Sequence, residues 1–113
     1  MTIFYKNQGY DLTTTNLTTV LNINTSTVAI IKEISVTNDD NSAHKVDYYF
    51  YDYSASTLYK FYHTNVPANS HDNAVHNALV LEEGDYLQFQ TVVANVISGQ
   101  ISYALLTRSG ENG

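Results

Sequence analysis

Apolar residues in this chain recur at every second position, and no stretch repeats them at the third-and-fourth spacing that a helix needs. The segments LTTVLNI (17–23), VAIIKEISVT (28–37) and YLQFQTV (86–92) show the alternation most clearly. Successive side chains of a strand point to opposite faces, so such a pattern gives a half-buried strand. The apolar types involved are mostly β-branched or aromatic, which fit a pleated surface better than a helix. An all-β domain follows.

Punctuation between the alternating segments supports that reading. Asn24-Thr25-Ser26-Thr27 makes a turn, and Asn38-Asp39-Asp40-Asn41-Ser42 makes a loop, because short Asn, Asp and Ser side chains bond their own backbone. His44–Tyr53 and Leu58–Val66 flank Ser54-Ala55-Ser56-Thr57 as a hairpin. Pro67 ends the second of these strands, since proline has no N–H for a ladder. His71–Asn77 is polar and ambiguous, Leu79–Leu81 resumes the apolar pattern, and Gly84 in Glu82-Glu83-Gly84-Asp85 suits a turn that needs positive φ. After Tyr86–Val92, a loop over Ala94–Gly99 leads into a last strand, Gln100–Thr107. Seven or eight short strands with turns between them predict an antiparallel β-sandwich, jelly-roll-like. The 113 residues suffice for one core. The division expected is an N-terminal arm over residues 1–16, a sandwich over 17–107 and a flexible tail over 108–113.

Strand parity then assigns a core of Leu21, Ile23, Ile34, Val36, Val46, Tyr48, Phe50, Phe61, Leu79, Leu81, Leu87, Phe89, Ile101, Tyr103 and Leu105. The phase breaks at VAIIKEI, where Lys32 shares parity with Ile30 and Ile34. Either Lys32 sits at a rim with its ammonium in water, or a bulge resets the register there.

The segment DYYFYDYSASTLYKFYH (47–63) holds six of the ten tyrosines. With Tyr48 and Phe50 inward, Tyr49, Tyr51 and Tyr53 stand on the outer face beside Asp47. If Phe61 points inward, Leu58, Lys60 and Tyr62 join them. Such a patch would reach roughly several hundred Å², more than a monomer usually leaves in water. Tyrosine is enriched at protein interfaces because it covers a large area with few rotors and keeps a hydroxyl for hydrogen bonding. The alternatives are a stacking platform for sugars, and rings that pack only against the chain itself. Asp47, Asp52 and Lys45 suit a gatekeeper role against edge-to-edge aggregation.

Other chemistry finds little support in the residues. With 11 acidic and 5 basic residues the net charge is −6 and the lysines are scattered, so nucleic acid is not an expected partner. No apolar run is long enough for a membrane helix, and the N-terminus does not resemble a secretory signal. The absence of cysteine excludes disulfides and zinc–thiolate sites. No serine stands in a glycine-framed elbow, and no histidine or carboxylate pair has a catalytic context, so no enzymatic activity and no cofactor are expected. His71 and His76 around Asp72 fit neither the helical nor the strand spacing of a metal pair. The Asp39-Asp40-Asn41 loop offers too few oxygens for calcium.

Three elements, taken in order, resemble a small β-sandwich domain found in virion structural proteins of tailed bacteriophages. They are the strand Ala29–Asn38, the turn Val66–Ser70 and the Gly-Asp element within Leu79–Phe89. The resemblance spans residues 17–107. It implies a structural role with no catalytic residues, in the manner of capsid decoration or cement proteins or of tail, neck and fibre modules. The chain departs from that pattern in its tyrosine-rich hairpin and in residues 1–16, where Phe4, Tyr5 and Tyr10 are spaced among polar residues. A decoration protein would bind the outer capsid surface between major capsid subunits, as a dimer or trimer. A glycan-binding or tail-associated adhesin module is the alternative.

Overall fold

Period-two patterning becomes nine strands and no helix among the described residues, which are 2–75 and 78–107 of a computed structural model. Among those residues, no helix is therefore long and apolar enough to cross a membrane. The strands are β1 (Thr2–Leu12), β2 (Thr18–Asn22), β3 (Thr27–Asn38), β4 (His44–Asp52), β5 (Thr57–Val66), β6 (Ser70–Asn73), β7 (Leu79–Leu81), β8 (Tyr86–Thr91) and β9 (Ile97–Thr107). The expected tail over 108–113 and His76 lie outside the described residues.

All pairings are antiparallel. One sheet runs β1-β9-β3-β6, with β7 also on β3, and the other runs β2-β8-β4-β5. β6 pairs with Ser35–Asn38 and β7 with Ala29–Ile31, so the two lie along the same edge of β3 as one interrupted strand. Counted that way there are eight strands. Apart from the β4–β5 hairpin, each successive strand crosses to the other sheet, which is the double Greek key of a jelly roll.

The core between the sheets contains every residue that parity assigns to it, either buried or packed against the buried cluster. Tyr48 and Phe89 are its largest fully buried side chains and meet edge to face, with centroids 4.9 Å apart. Burying such a ring contributes about 1.5–3 kcal/mol relative to leaving it in water. The phase break in β3 is a bulge. Ile31 opposes Tyr103, Glu33 opposes Ser102, and the exposed Lys32 falls between them. Ala29 and Ile31 can thus point inward before it, and Ile34 and Val36 after it.

Three segments differ from expectation. The pattern of residues 1–16 predicts an arm reaching a neighbour. Instead β1 pairs with β9 from Thr2 to Leu12, along a free edge of the molecule's own sheet. Its inward-facing Tyr10 and Leu12 anchor it to the core there. Ser70–Asn73, which reads as turn and ambiguous polar chain, is a short edge strand. The start of β9 lies at Ile97, inside the expected loop, where fully buried Ile97 faces the core.

β1 is also fixed by an aromatic–glycine contact. Tyr10 stands opposite Gly99, and its hydroxyl crosses the glycine to donate to the Ser35 carbonyl at 2.6 Å. A Cβ on Gly99 would lie 1.9 Å from that same carbonyl oxygen. Only glycine permits the approach.

Candidate functional site: an aromatic outer face

The outer face of the β2-β8-β4-β5 sheet forms cross-strand rows set by register. Leu58, Tyr51, Tyr86 and Asn22 make one row, Lys60, Tyr49, Gln88 and Thr19 the next, and His63, Asp47 and Gln90 a third. Tyr49 and Tyr51 stand on this face, as parity predicts, and both are half-buried by their neighbours. Tyr51 stacks on Tyr86 at 4.7 Å with ring planes 9° apart. The Lys60 ammonium sits 5.5 Å from the centre of the Tyr49 ring and 3.4 Å from the Asp47 carboxylate, which Lys45 also approaches at 3.7 Å. Gln88 donates to the Thr19 hydroxyl at 3.0 Å, and Gln90 to the Thr15 carbonyl at 3.2 Å. The result is a surface of phenols and amides tied together by cross-strand contacts.

Tyr53 continues the patch beyond the end of β4 and is 57% exposed. Asp85 holds it there. This carboxylate is 3% exposed, and it accepts the Tyr53 N–H at 2.9 Å and the Glu82 N–H at 2.8 Å. Its backbone carbonyl accepts the Ile23 N–H at 2.9 Å, so one residue ties three turns together. Gly84, at φ 85°, lies under the Tyr53 ring, where a Cβ would come within 2.7 Å of Cγ. Positive φ and close approach both require glycine there. Asp52, Glu82 and Asp85 bring carboxylate oxygens within 4.8 Å of one another. Both Asp85 oxygens already accept N–H groups, and Asp52 caps its own turn through Ser54 at 2.8 Å. Those two carboxylates therefore already serve hydrogen bonds of the turns.

Two predicted interface residues turn inward. Tyr62 opposes Tyr48 and stacks on it at 5.6 Å, inside the sandwich. A bulge is the reason: Tyr48 pairs with Tyr62 and Tyr49 with Lys60, leaving Phe61 extra, so Phe61 and Tyr62 both pack against the core. Tyr10 is buried as well, edge to face with Phe89 at 5.2 Å. Phe4 and Tyr5 do reach solvent, at 45% and 84% exposure, but on the β1 edge of the other sheet. Sequence parity does not single out Tyr86 as the partner of Tyr51; its alternation with Leu87 is the signal that places it outward.

The remaining metal-ligand candidates have local roles. His44 bonds the Asp40 carboxylate at 2.6 Å, and that contact, with the Asn41 N–H, holds the Asp40 carboxyl below its usual value. Asp72 accepts the Thr64 hydroxyl at 2.7 Å, beside exposed His71.

No family model and no curated protein matches the chain. Solved structures do. A chain of the acid-stable capsid of Helicobacter pylori bacteriophage KHP30 superposes with a TM-score of 0.59 at 12% identity, over 96% of this chain and 90% of that one. A chain of infectious bursal disease virus, Gx strain, gives 0.53 at 10% identity, over 96% of this chain but 33% of its own length. A chain of the disulfide-linked pili that form Bacillus endospore appendages gives 0.52 at 13% identity, over 94% and 88%. At these identities the likeness is one of fold.

Proposed function

We propose that this chain is a non-enzymatic virion structural protein, a capsid decoration protein that binds the outer capsid surface between major capsid subunits. The observation that carries this reading is the near end-to-end correspondence with a chain of a phage capsid. The larger bursal virus chain contains the sandwich as about one third of itself. The net charge of −6 suits the outside of a DNA-filled shell.

The aromatic face supplies the contact. Tyr51 and Tyr86 each spend one ring face on the other, and Tyr49 has Lys60 over its ring, so these phenols offer fewer open faces to a sugar. Their edges and hydroxyls suit a protein surface, which favours a capsid partner over a glycan. A contact of standard size buries about 1,200–2,000 Å². Binding only the assembled shell would stabilise that shell by linkage. The pilus neighbour favours a second reading, a subunit of a tail or fibre assembly, because a similar sandwich there belongs to a filament.

The test is co-sedimentation of the purified protein with capsids that lack it. Tyr51→Ala with Tyr53→Ala is expected to lower binding at least about tenfold, as loss of two aromatic anchors does, while the thermal melt keeps its cooperativity. Undiminished binding by the double variant, or no binding by the parent protein, would contradict the proposal.

A further inference from the structure

One end of the sandwich is closed by three loops that meet on Asn38, Asp39 and Asp40. Asn38 is fully buried at the end of β3, and its amide donates to the Ser42 and Val66 carbonyls at 2.9 and 3.1 Å. Its Oδ1 accepts the Asp40 N–H at 2.9 Å. The Asp40 carbonyl accepts the Asn69 N–H at 3.0 Å, and the Asp39 N–H donates to the Val96 carbonyl at 3.0 Å. The loop 39–43, the turn 67–69 and the loop 92–96 are thus joined through three successive residues. None of these bonds titrates. The Asp40 side chain adds one that does: Oδ1 accepts the Asn41 N–H at 2.8 Å, and Oδ2 lies 2.6 Å from Nε2 of His44, whose side chain at the start of β4 is only 11% exposed.

We infer that the Asp40–His44 pair is a pH-dependent latch on this end of the fold, firm in mild acid and slack on either side of that range, while Asn38 keeps the loops attached throughout. Below about pH 6.5, where histidine ordinarily carries a proton, an imidazolium faces a carboxylate and Coulomb attraction adds to the hydrogen bond. A neutral ring keeps the bond and loses the attraction. On the acid side, the bond from His44, with the Asn41 N–H, holds the Asp40 carboxyl below its usual value. A carboxyl lowered on folding contributes stability that is present above the ordinary carboxylate range and lost as the pH falls through the lowered value. Firm closure therefore spans about pH 4 to about pH 6.5. No other ion joins the pair among the described residues. Val66 opposes His44 on β5, and neither the turn 67–70 nor the loop 92–96 carries an ionisable side chain. Asp11, Asp39 and His71 are exposed, and Lys45 approaches Asp47 instead. Because the Asp40 carbonyl holds Asn69, the turn 67–69 feels the latch directly. The inference does not rest on the virion reading, since it concerns the isolated chain.

Amide hydrogen exchange of the full chain tests it, measured by NMR at about pH 5.5 and about pH 8 and corrected at each pH for the intrinsic rate of each amide. The expected result is protection of the Asn69 and Asp39 amides about threefold higher at the lower pH, the order that a partly exposed ion pair contributes. The Phe89 amide, in the middle of the other sheet, should not share the change. His44→Gln keeps a donor but cannot take a charge, and it should abolish the difference. Asp40→Asn should do the same from the other side of the pair, so that either variant suffices once a thermal melt shows it folded. Equal protection of the Asn69 and Asp39 amides at the two pH values in the parent protein, or a difference that survives either substitution in a folded variant, would overturn the inference.

Discussion

Gly99 and Tyr10 show how one residue pair fixes a strand. A methyl group on Gly99 would stand 1.9 Å from the Ser35 carbonyl, so Gly99→Ala forces β9 away from β3 and removes the phenol's path. Overpacking of this kind typically costs about 1–3 kcal/mol, and the lost Tyr10 hydrogen bond adds about 1 kcal/mol; chemical denaturation is expected to show the sum, and an unchanged midpoint would contradict it. The buried phenols also set an alkaline limit. Burial holds Tyr10 and Tyr48 above the ordinary tyrosine value of 10.0, and for Tyr48 the nearby Tyr10 and Asp72 add to it. The folded state therefore keeps protons that the unfolded state releases above that pH. Stability should be intact below about pH 10 and fall as the pH rises beyond it, by up to about 1.4 kcal/mol per pH unit for each phenol. Ultraviolet titration of tyrosine should show these two ionising only with unfolding.

At the scale of elements, β5 is the instructive case. Alternation places Tyr62 outside because it carries one register along the whole strand. The bulge at Phe61 puts two successive aromatics inward and leaves Leu58 and Lys60 outward as expected. The same device in β3 is readable from sequence, because Lys32 cannot share a buried face with Ile30 and Ile34. In β5 both phases give an acceptable aromatic, so no residue in the sequence marks the slip. β1 is hidden for a related reason: its polar Asn7, Gln8 and Gly9 break the apolar alternation, and only its pairing with β9 reveals it as a strand. Tyr49, Tyr51 and Tyr53 are legible because Tyr48 and Phe50 fix the phase beside them. Tyr62→Ala is expected to cost about 3 kcal/mol, a core truncation, whereas Tyr53→Ala should change stability by less than about 0.5 kcal/mol. Thermal melts of the two variants separate the faces, and equal losses would contradict the assignment.

For the whole molecule, the jelly roll assigns its surfaces different work. The inner faces form one core, the outer face of β2-β8-β4-β5 presents phenols and amides, and among the described residues no strand pairs with the outer edge of β1 in the other sheet. Asp85 links the turns at the end where Tyr53 emerges, so the aromatic face is positioned by the fold rather than by a mobile loop. The central claim, that the chain decorates a capsid, is tested most directly by its copy number in purified virions, counted by quantitative peptide measurement against the major capsid protein. Decoration predicts one copy for every few capsid subunits. A ratio amounting to only a handful of copies per particle would contradict decoration and assign the protein to the tail or neck.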